Sequence, residues 1–413
     1  MEKFYSVSEV ADILGVSKET LRRWDRSNKL VPKRHPINGY RVYDLSDLRD
    51  FEQLSFVFHQ SKKPTLEREI RPFRHYTSIE LFAGAGGLAL GFENAGIHNE
   101  LLNEIDKDAC QTLRNNRPSW NVIEGDISKI DFTSYQGKVD VVSGGFPCQA
   151  FSYAGKKLGF QDARGTLFYE FARAVNEVKP LIAIGENVRG LLSHEDGKTL
   201  QGMLDILEEI GYQVLPPQVL KAIFFQVPQK RERVIIVALR KDANLKFEYP
   251  VPSQQIRTLR DALLAGSLYP TDVPKSEGAK YPKDKANVLK LVPPGGYWRD
   301  LPEEIQKEYM KQSYYLGGGK TGMARRISWD EPSLTLTCSP AQKQTERCHP
   351  DETRPFTVRE YARIQTFPDE WQFSGSLSSQ YKQIGNAVPV LLGEAVGRSV
   401  VECLNLLEEN VGM

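Results

Sequence analysis

The sequence has few of the features that mark secreted, membrane-bound or disulfide-stabilised proteins. Its 413 residues include five cysteines, namely Cys110, Cys148, Cys338, Cys348 and Cys403, and no CxxC pair. An odd number of scattered cysteines argues against a disulfide framework and favours a reducing compartment. No stretch approaches the ~18 apolar residues of a membrane span, and the N-terminus lacks the basic and apolar segments of a signal peptide. We therefore expect a cytoplasmic protein without a bound metal ion.

The chain also has no excess of charge of either sign, since 54 Lys and Arg stand against 53 Asp and Glu. This balance hides a local asymmetry. Residues 1–76 contain 15 Lys and Arg against 11 Asp and Glu, a net of +4, whereas the remainder has a net of −3. The bias is strongest in Lys18–Arg34, with seven basic and two acidic residues. Such a segment favours a polyanionic partner, although a solvated helix face gives the same composition.

The basic segment belongs to an N-terminal unit with a helix-turn-helix pattern. Helices are predicted over Val7–Leu14 and Lys18–Ser27, and Asn38-Gly39 predicts a tight turn between two short extended runs. A helix pair followed by a β-wing offers its second helix to the major groove of DNA. The side chains that we expect to contact DNA are Lys18, Arg22, Arg23, Arg26 and Arg41.

This unit resembles the MerR-like winged-helix regulators of the mercury-resistance type. The likeness is carried by VSEVADILGVSKETLRRWDRSNKL and by the wing residues Asn38, Gly39, Tyr40, Arg41 and Tyr43. It implies a DNA-binding domain over residues 1–58, with the protein's own promoter or operator as one candidate target. The residues alone leave open a helical interaction module with solvated basic side chains. Residues 59–76 are polar and interrupted by prolines, which predicts a linker.

From Thr77 onward, apolar runs of strand length alternate with helical patterns. The candidate strands are Ser78–Phe82, Leu101–Ile105, Val122–Glu124, Val139–Ser143, Leu181–Ile184 and Val234–Leu239. This alternation predicts an α/β domain with a parallel sheet covered by helices on both faces. Ligands of such sheets bind outside the carboxyl ends of the strands. Between Arg240 and about Gln344 the alternation breaks down in chain rich in Pro and Gly, which predicts a separate small domain.

The first candidate strand leads into FAGAGGLALG, the glycine-rich strand-to-helix turn of nucleotide-binding sheets. Gly84 and Gly86 permit a sharp turn and the close approach of a ligand. Glu104 follows 20 residues after Gly84, at the end of the next strand, where a carboxylate can accept hydrogen bonds from ribose hydroxyls. This pattern alone does not distinguish a dinucleotide from S-adenosylmethionine. Asp126, at the end of the third strand, is expected to bind the adenine amino group.

Three further motifs carry chemistry. FPCQAFS places Cys148 on a loop at the ligand-facing edge, and ENV places Glu186 at the end of a candidate neighbouring strand. QKRER is an extended segment whose alternation puts Arg231 and Arg233 on one side. A thiolate and a carboxylate in one crevice repel each other unless the carboxyl is protonated or bonded to substrate. The structural alternatives are a buried inert cysteine, a helix-start carboxylate and a solvated basic strand end.

Together these motifs resemble the DNA cytosine-5 methyltransferases of restriction–modification systems. The match keeps the family's order from about Thr77 through FAGAGG, GDI, GGFPCQAFS, ENV, QKRER, TVREYARIQTFPD and QIGNAVP. The resemblance implies a Rossmann-like, S-adenosylmethionine-dependent catalytic domain over residues 77–245 and 355–413, and a target-recognition domain over residues 246–354. It also implies a nucleoid-associated bacterial enzyme that acts on double-stranded DNA. A cognate restriction endonuclease is expected in function but need not bind.

The resemblance also assigns roles to individual residues. It implies that the Cys148 thiolate adds to C6 of a flipped-out cytosine, while Glu186 binds N3 and the exocyclic amine and Arg231 holds the base carbonyl. Gln149 is expected beside the nucleophile. The residues expected on the cofactor side are Phe82, Gly84, Gly86, Gly87, Glu104, Ile105, Asp126, Ile127, Phe146, Pro147, Asn386 and Val388. The alternatives are the tRNA-acting branch of this family and a protein that acts mainly as a transcription regulator.

Overall fold

The computed structural model describes residues 5–14, 16, 18–34, 39–43, 46–48, 62–147, 166–316 and 320–411. Its first part is a small unit over residues 5–48, here called the N-terminal module. Its elements are β1 (Tyr5–Ser6), α1 (Val7–Leu14), α2 (Lys18–Arg26), β2 (Lys33–Arg34) and β3 (Arg41–Tyr43). The antiparallel pairing of β2 with β3 confirms the predicted hairpin, and the two helices confirm the predicted helix pair.

The main sheet contains eight strands, in the order β10-β12-β8-β7-β4-β5-β6 with β9 beside β12. The strands beyond the module are β4 (Tyr76–Leu81), β5 (Ile97–Glu104), β6 (Val122–Glu124), β7 (Val141–Gly144), β8 (Ile182–Val188), β9 (Tyr212–Val214), β10 (Gln218–Lys221), β11 (Gln229–Lys230), β12 (Glu232–Arg240) and β13 (Ser333–Leu334). Strands β4 to β8 are parallel to one another, as predicted. Their carboxyl ends therefore meet at one edge of the sheet.

Strand β12 shows that the expectation of a wholly parallel sheet was wrong. It runs antiparallel to both β8 and β10. The chain between β10 and β12 spans only residues 222–231, whereas a parallel connection needs about a dozen residues or more, usually with a helix. The result is a mixed sheet with an antiparallel edge.

Helices cover both faces of the sheet. The helices described beyond the module, of which α8 and α9 pack in a separate core, are α3 (Gly87–Asn94), α4 (Lys107–Asn116), α5 (Leu167–Val178), α6 (Lys198–Glu209), α7 (Leu259–Leu263), α8 (Lys283–Leu289), α9 (Glu303–Met310), α10 (Val358–Ile364), α11 (Leu377–Asn386) and α12 (Val390–Val411). Tyr76 and Val141 pack with α3 and α12 on one face, whereas Ile79 and Val142 pack with α5 and α6 on the other. Alternate strand residues thus supply two separate cores.

Two further regions complete the chain. Residues 281–348 contain an apolar core of their own, which includes Leu289, Trp298 and Met310. Strand β13 of this region pairs with β11 in a separate two-stranded sheet, and β11 directly precedes β12 in the chain. In residues 62–75, expected as a linker, Thr65 is fully buried and the backbone carbonyl of Arg68 accepts a hydrogen bond from α12. Among the residues described, no helix combines the length and apolar character needed to cross a lipid bilayer.

Candidate active site

A cavity of about 620 Å³ lies at the carboxyl ends of the parallel strands, and we call it the active-site cavity. Its volume is that of a site for a small molecule or cofactor. Glu186 lines it together with nine of the twelve residues expected on the cofactor side: Phe82, Gly84, Gly87, Glu104, Ile105, Phe146, Pro147, Asn386 and Val388. Motifs far apart in the chain therefore meet in one chamber.

The glycine-rich turn and Glu104 form one hydrogen-bonded unit. Gly84 has a φ of +54°, and its N–H donates to Glu104 Oε2 at 2.8 Å. Glu104 Oε1 accepts from the amides of Ile105 and Asp106 at 2.7 and 2.8 Å. These donors hold the carboxylate at the cavity wall and use three of its roughly four lone-pair sites. About one strong acceptor site therefore remains for a ligand hydroxyl.

Two other positions of this turn are set by close packing and backbone strain. A Cβ at Gly87 would approach the Val388 carbonyl oxygen to 2.1 Å, so only glycine allows these two parts of the wall to touch. Phe82 has a φ of +58°, a conformation that costs a non-glycine residue ~1–2 kcal/mol. Strain of this kind concentrates at ligand sites.

Three of the expected cofactor residues do not line the cavity. A Cβ at Gly86 would lie 2.6 Å from Leu113 Cδ2, so this glycine faces packed side chains. Ile127 is buried in the core beneath α5. Asp126 is exposed and caps a short turn by accepting from the Ser128 amide at 3.0 Å, a bond that lowers the pKa of Asp126. Adenine binding by Asp126 stays a prediction.

At the opposite end of the active-site cavity, a buried carboxylic acid is paired with an arginine. Strands β7 and β8 are adjacent, and the Glu186 carboxylate forms an ion pair with the Arg233 guanidinium. Burial raises the pKa of Glu186, and Arg233 and Arg231 partly oppose that rise. A Cβ at Gly145 would lie 2.8 Å from Glu186 Oε2, so glycine leaves room for the carboxylate.

Asn187, the middle residue of the ENV motif, fixes the chain that leads to the expected nucleophile. Its Nδ2 donates to the carbonyl oxygen of Phe146 at 2.8 Å, and both groups are buried. Pro147 follows in the cavity wall. Cys148 and Gln149 come next in the sequence and lie outside the described residues.

The structure separates the two arginines of QKRER. Arg231 is 2% exposed and donates to the carbonyl oxygens of Leu336, Gly385 and Asn386 at 3.2, 2.8 and 3.3 Å. It lies between the end of β11 and the start of β12, outside the ladder with β8. Arg233 is the first residue of β12 that pairs with β8. Arg233 therefore contacts Glu186 and lines the active-site cavity, whereas Arg231, expected to hold the base carbonyl, is not part of that lining. The role of Arg231 stays a prediction.

Glu80 is an acid in this cavity that the sequence reasoning missed. It is 3% exposed and lines the active-site cavity, and its buried Oε2 has no hydrogen-bond partner among the residues that the structure describes. Burial, followed by the charges of Glu186 and Glu104, raises the pKa of Glu80 well above its usual range. The sequence could have revealed Glu80, because burying a carboxylate within the apolar strand SIELF costs free energy unless the carboxylate is paired or serves a function.

Four of the five cations expected to contact DNA form ion pairs with described residues of the molecule. Arg22 and Arg26 lie 3.2 and 2.8 Å from the Glu19 carboxylate, and Arg41 lies 3.4 Å from that of Asp25. The remaining two differ from each other, since Lys18 pairs with Glu331 at 2.6 Å and Arg23 is exposed.

These elements define an α/β methyltransferase fold, and solved structures share it. The chain superimposes on the S. pombe Dnmt2 methyltransferase with a TM-score of 0.54 at 18% identity, covering 82% of this chain and 100% of that one. A Spodoptera frugiperda DNMT2 mutant gives a TM-score of 0.55 at 16% identity, covering 81% and 99%. The predicted fold class is confirmed.

Sequence comparison then identifies the family. The model of the C-5 cytosine-specific DNA methylases matches residues 76–402, and that of the MerR HTH family regulatory proteins matches residues 5–57. The type II methyltransferase M.Eco47II of Escherichia coli is 64% identical over 411 residues, which cover 99% of this chain and 98% of that relative. M.Sau96I of Staphylococcus aureus is 54% identical over 406 residues, covering 97% and 88%. The chain belongs to the C-5 cytosine-specific DNA methylase family and is a type II DNA cytosine-5 methyltransferase.

Proposed function

We propose that this enzyme methylates C5 of a flipped-out cytosine within one short DNA sequence, using S-adenosylmethionine and a transient bond between Cys148 and the base. The observation that carries the proposal is the continuity of the active-site cavity. Gly84 and Glu104 line one end of it, Glu186 and Arg233 line the other, and Pro147, which precedes Cys148, lies in the same wall. Groups suited to the cofactor and groups suited to the base thus share one chamber.

The residues at the first end fit S-adenosylmethionine. Glu104 retains an acceptor site for a ribose hydroxyl, and Gly87 keeps side-chain bulk out of the wall. Ile105 is apolar and 68% exposed, and it offers a surface for a planar ring. When bound, the cofactor supplies the electrophilic methyl group that C5 accepts.

At the second end, the Cys148 thiolate forms a bond to C6 of the cytosine, and the C5–C6 electron pair makes C5 nucleophilic. Glu186, whose pKa burial raises, holds a proton for N3 and bonds the exocyclic amine. Arg233 orients Glu186 and supports the base carbonyl, while Arg231 braces the surrounding backbone. Once C5 carries the methyl group, loss of the C5 proton to a base restores the double bond and expels the thiolate.

The test is transfer of labelled methyl groups to mixed duplex DNA and to tRNA, followed by mapping of the modified base. We expect label at cytosine C5 within one DNA sequence, abolished in Cys148→Ala and kept in the matched variant Cys403→Ala. A duplex with 5-fluorocytosine at the target should trap the wild type in a denaturant-stable adduct, because fluorine cannot leave as a proton does. Full activity of Cys148→Ala would refute the covalent mechanism, and label confined to tRNA would move the protein to the other branch.

We further infer that methylation protects host DNA from a cognate restriction endonuclease, and that the N-terminal module binds duplex DNA and autoregulates transcription. The support is the class of the relatives and the MerR-type match over residues 5–57. Host DNA from cells that express the enzyme should resist cleavage at the mapped sequence. Arg23→Ala should change reporter output from the protein's own promoter, and unchanged output would contradict autoregulation.

A further inference from the structure

The N-terminal module lies directly beside the active-site cavity. A second cavity of about 500 Å³, here called the junction cavity, is lined by Ala11 and Val16 of the module and by Val188 and Arg233 of the catalytic part. Val188 and Arg233 also line the active-site cavity. The two cavities share a wall, and that wall contains the partner of Glu186.

The catalytic side of the junction cavity is strongly basic. Its lining contains Glu232 and five cations, of which Arg233 also pairs with Glu186 and Lys230 with Glu331: Arg189, Lys221, Lys230, Arg231 and Arg233. Arg189 is paired with Glu232 at 2.9 Å, but its side chain is 62% exposed. Exposed pairs of this kind are weak, so a phosphate oxygen can replace the carboxylate. Clustered guanidinium and ammonium groups fit the phosphodiester backbone of a nucleic acid.

A half-buried carboxylate anchors the module at this position. Glu331 accepts Lys18 of α2 at 2.6 Å and Lys230 of β11 at 3.5 Å. Burial by itself would raise the pKa of Glu331, but Lys230 and Lys18 together lower it to about 2. Glu331 is therefore charged at neutral pH. Lys18, expected as a DNA contact, instead fastens the module beside β11 and β13.

We propose that the junction cavity holds the phosphate backbone of the same duplex whose cytosine enters the active site. The N-terminal module and the catalytic part then form one continuous DNA-binding surface, rather than two sites for two duplexes. This proposal rests on the proposed function, since it assigns the flanks of the methylated sequence to the junction cavity.

The test compares the full-length wild type with Arg189→Ala and Arg23→Ala on duplexes of about 12 and 30 base pairs, each centred on the mapped target. Fluorescence anisotropy gives the Kd, and methyl transfer gives KM and kcat. We expect each variant to weaken binding of the long duplex about 3- to 10-fold and to lower the salt slope by about one. Arg23→Ala, in the module, should leave the short duplex unaffected, whereas Arg189→Ala, beside the active-site cavity, should weaken both duplexes. Lys246→Ala, which removes an exposed cation beside α12, is the control and should change neither Kd.

Two results would overturn the proposal. The first is wild-type binding of the long duplex by Arg189→Ala. The second is a loss of affinity in Arg23→Ala for a separate, target-free duplex only, which would show that the module uses a second DNA. Absence of methyl transfer by the wild type would refute the proposed function instead. The junction cavity is still tested in that case, because Arg189→Ala must then weaken binding of a mixed-sequence 30-base-pair duplex.

Discussion

The active-site cavity and the N-terminal module place charged side chains in opposite settings. In the cavity, Glu80 and Glu186 are 3% and 9% exposed, and burial shifts their pKa values. In the module, the pairs that Glu19 forms with Arg22 and Arg26 are exposed on both sides. Coulomb interactions near a protein surface are several-fold weaker than in the interior. Burial in the cavity therefore favours the protonated form of these acids, whereas the module has surface charges that can exchange partners.

The largest effect is expected at Glu186, the buried carboxyl proposed to bind the cytosine. Glu186→Gln removes both the ionisable proton and the ion pair with Arg233, and should lower kcat about 100-fold or more. Gly145→Ala should have a smaller effect in the same direction, because its Cβ would lie 2.8 Å from Glu186 Oε2. Steady-state methylation kinetics measure both.

Gly266→Ala is the matched control for Gly145→Ala, since a Cβ at Gly266 meets no atom within 4 Å. It should retain wild-type kinetics. Wild-type kcat in Glu186→Gln would show that the buried carboxyl has no role in the reaction.

Glu80 tests how burial of an acid in the cavity affects the free energy of unfolding. Its folded-state pKa is raised, so the stability it contributes is present below the unfolded-state value of about 4.5 and is lost as pH rises toward the folded-state pKa. Over that range, the free energy of unfolding of the wild type should fall by up to about 1.4 kcal/mol per pH unit from this group. Glu80→Gln should remove that slope and be relatively more stable at pH 9 than at pH 5, as measured by urea unfolding. Equal slopes in both proteins would mean that Glu80 titrates normally.

The two regions also differ in how far the sequence could predict them. Glu104 and Glu186 were found because each ends a parallel strand, and the carboxyl ends of such strands meet at one edge. Alternation was expected to put Arg231 and Arg233 on one side, but only Arg233 lines the active-site cavity, because alternation holds only within one strand and Arg231 lies between β11 and β12. The partner of Lys18 was out of reach, since Glu331 lies 313 residues away and only the tertiary fold brings the two together.

The Lys18–Glu331 pair is intermediate between the two settings, because the Glu331 side chain is 15% exposed and that of Lys18 is 42% exposed. Glu331→Gln should lower the free energy of unfolding by about 1–2 kcal/mol at neutral pH. This value is kept small because solvent screens the attraction between Glu331 and the partly exposed Lys18. The folded-state pKa of Glu331 is lowered to about 2, so its contribution is complete above about 4.5 and is lost as pH falls toward 2. The difference between wild type and variant in thermal unfolding should disappear over that interval. A difference that persists at pH 2 would point to packing as the cause.

The smallest effect on stability is expected at Glu19, the carboxylate that Arg22 and Arg26 share on the surface of α2. Glu19→Gln should change the free energy of unfolding by no more than about 0.5 kcal/mol, yet it leaves both guanidinium groups available for phosphate. Binding of a long duplex should tighten a few-fold at low salt, and the gain should vanish near 1 M salt, where the Debye length is about 3 Å. Glu248→Gln removes one exposed carboxylate that pairs with Lys62, and so makes the same change in net charge away from α2. If both variants tighten binding equally, net charge alone is responsible; a gain confined to Glu19→Gln places α2 against the DNA.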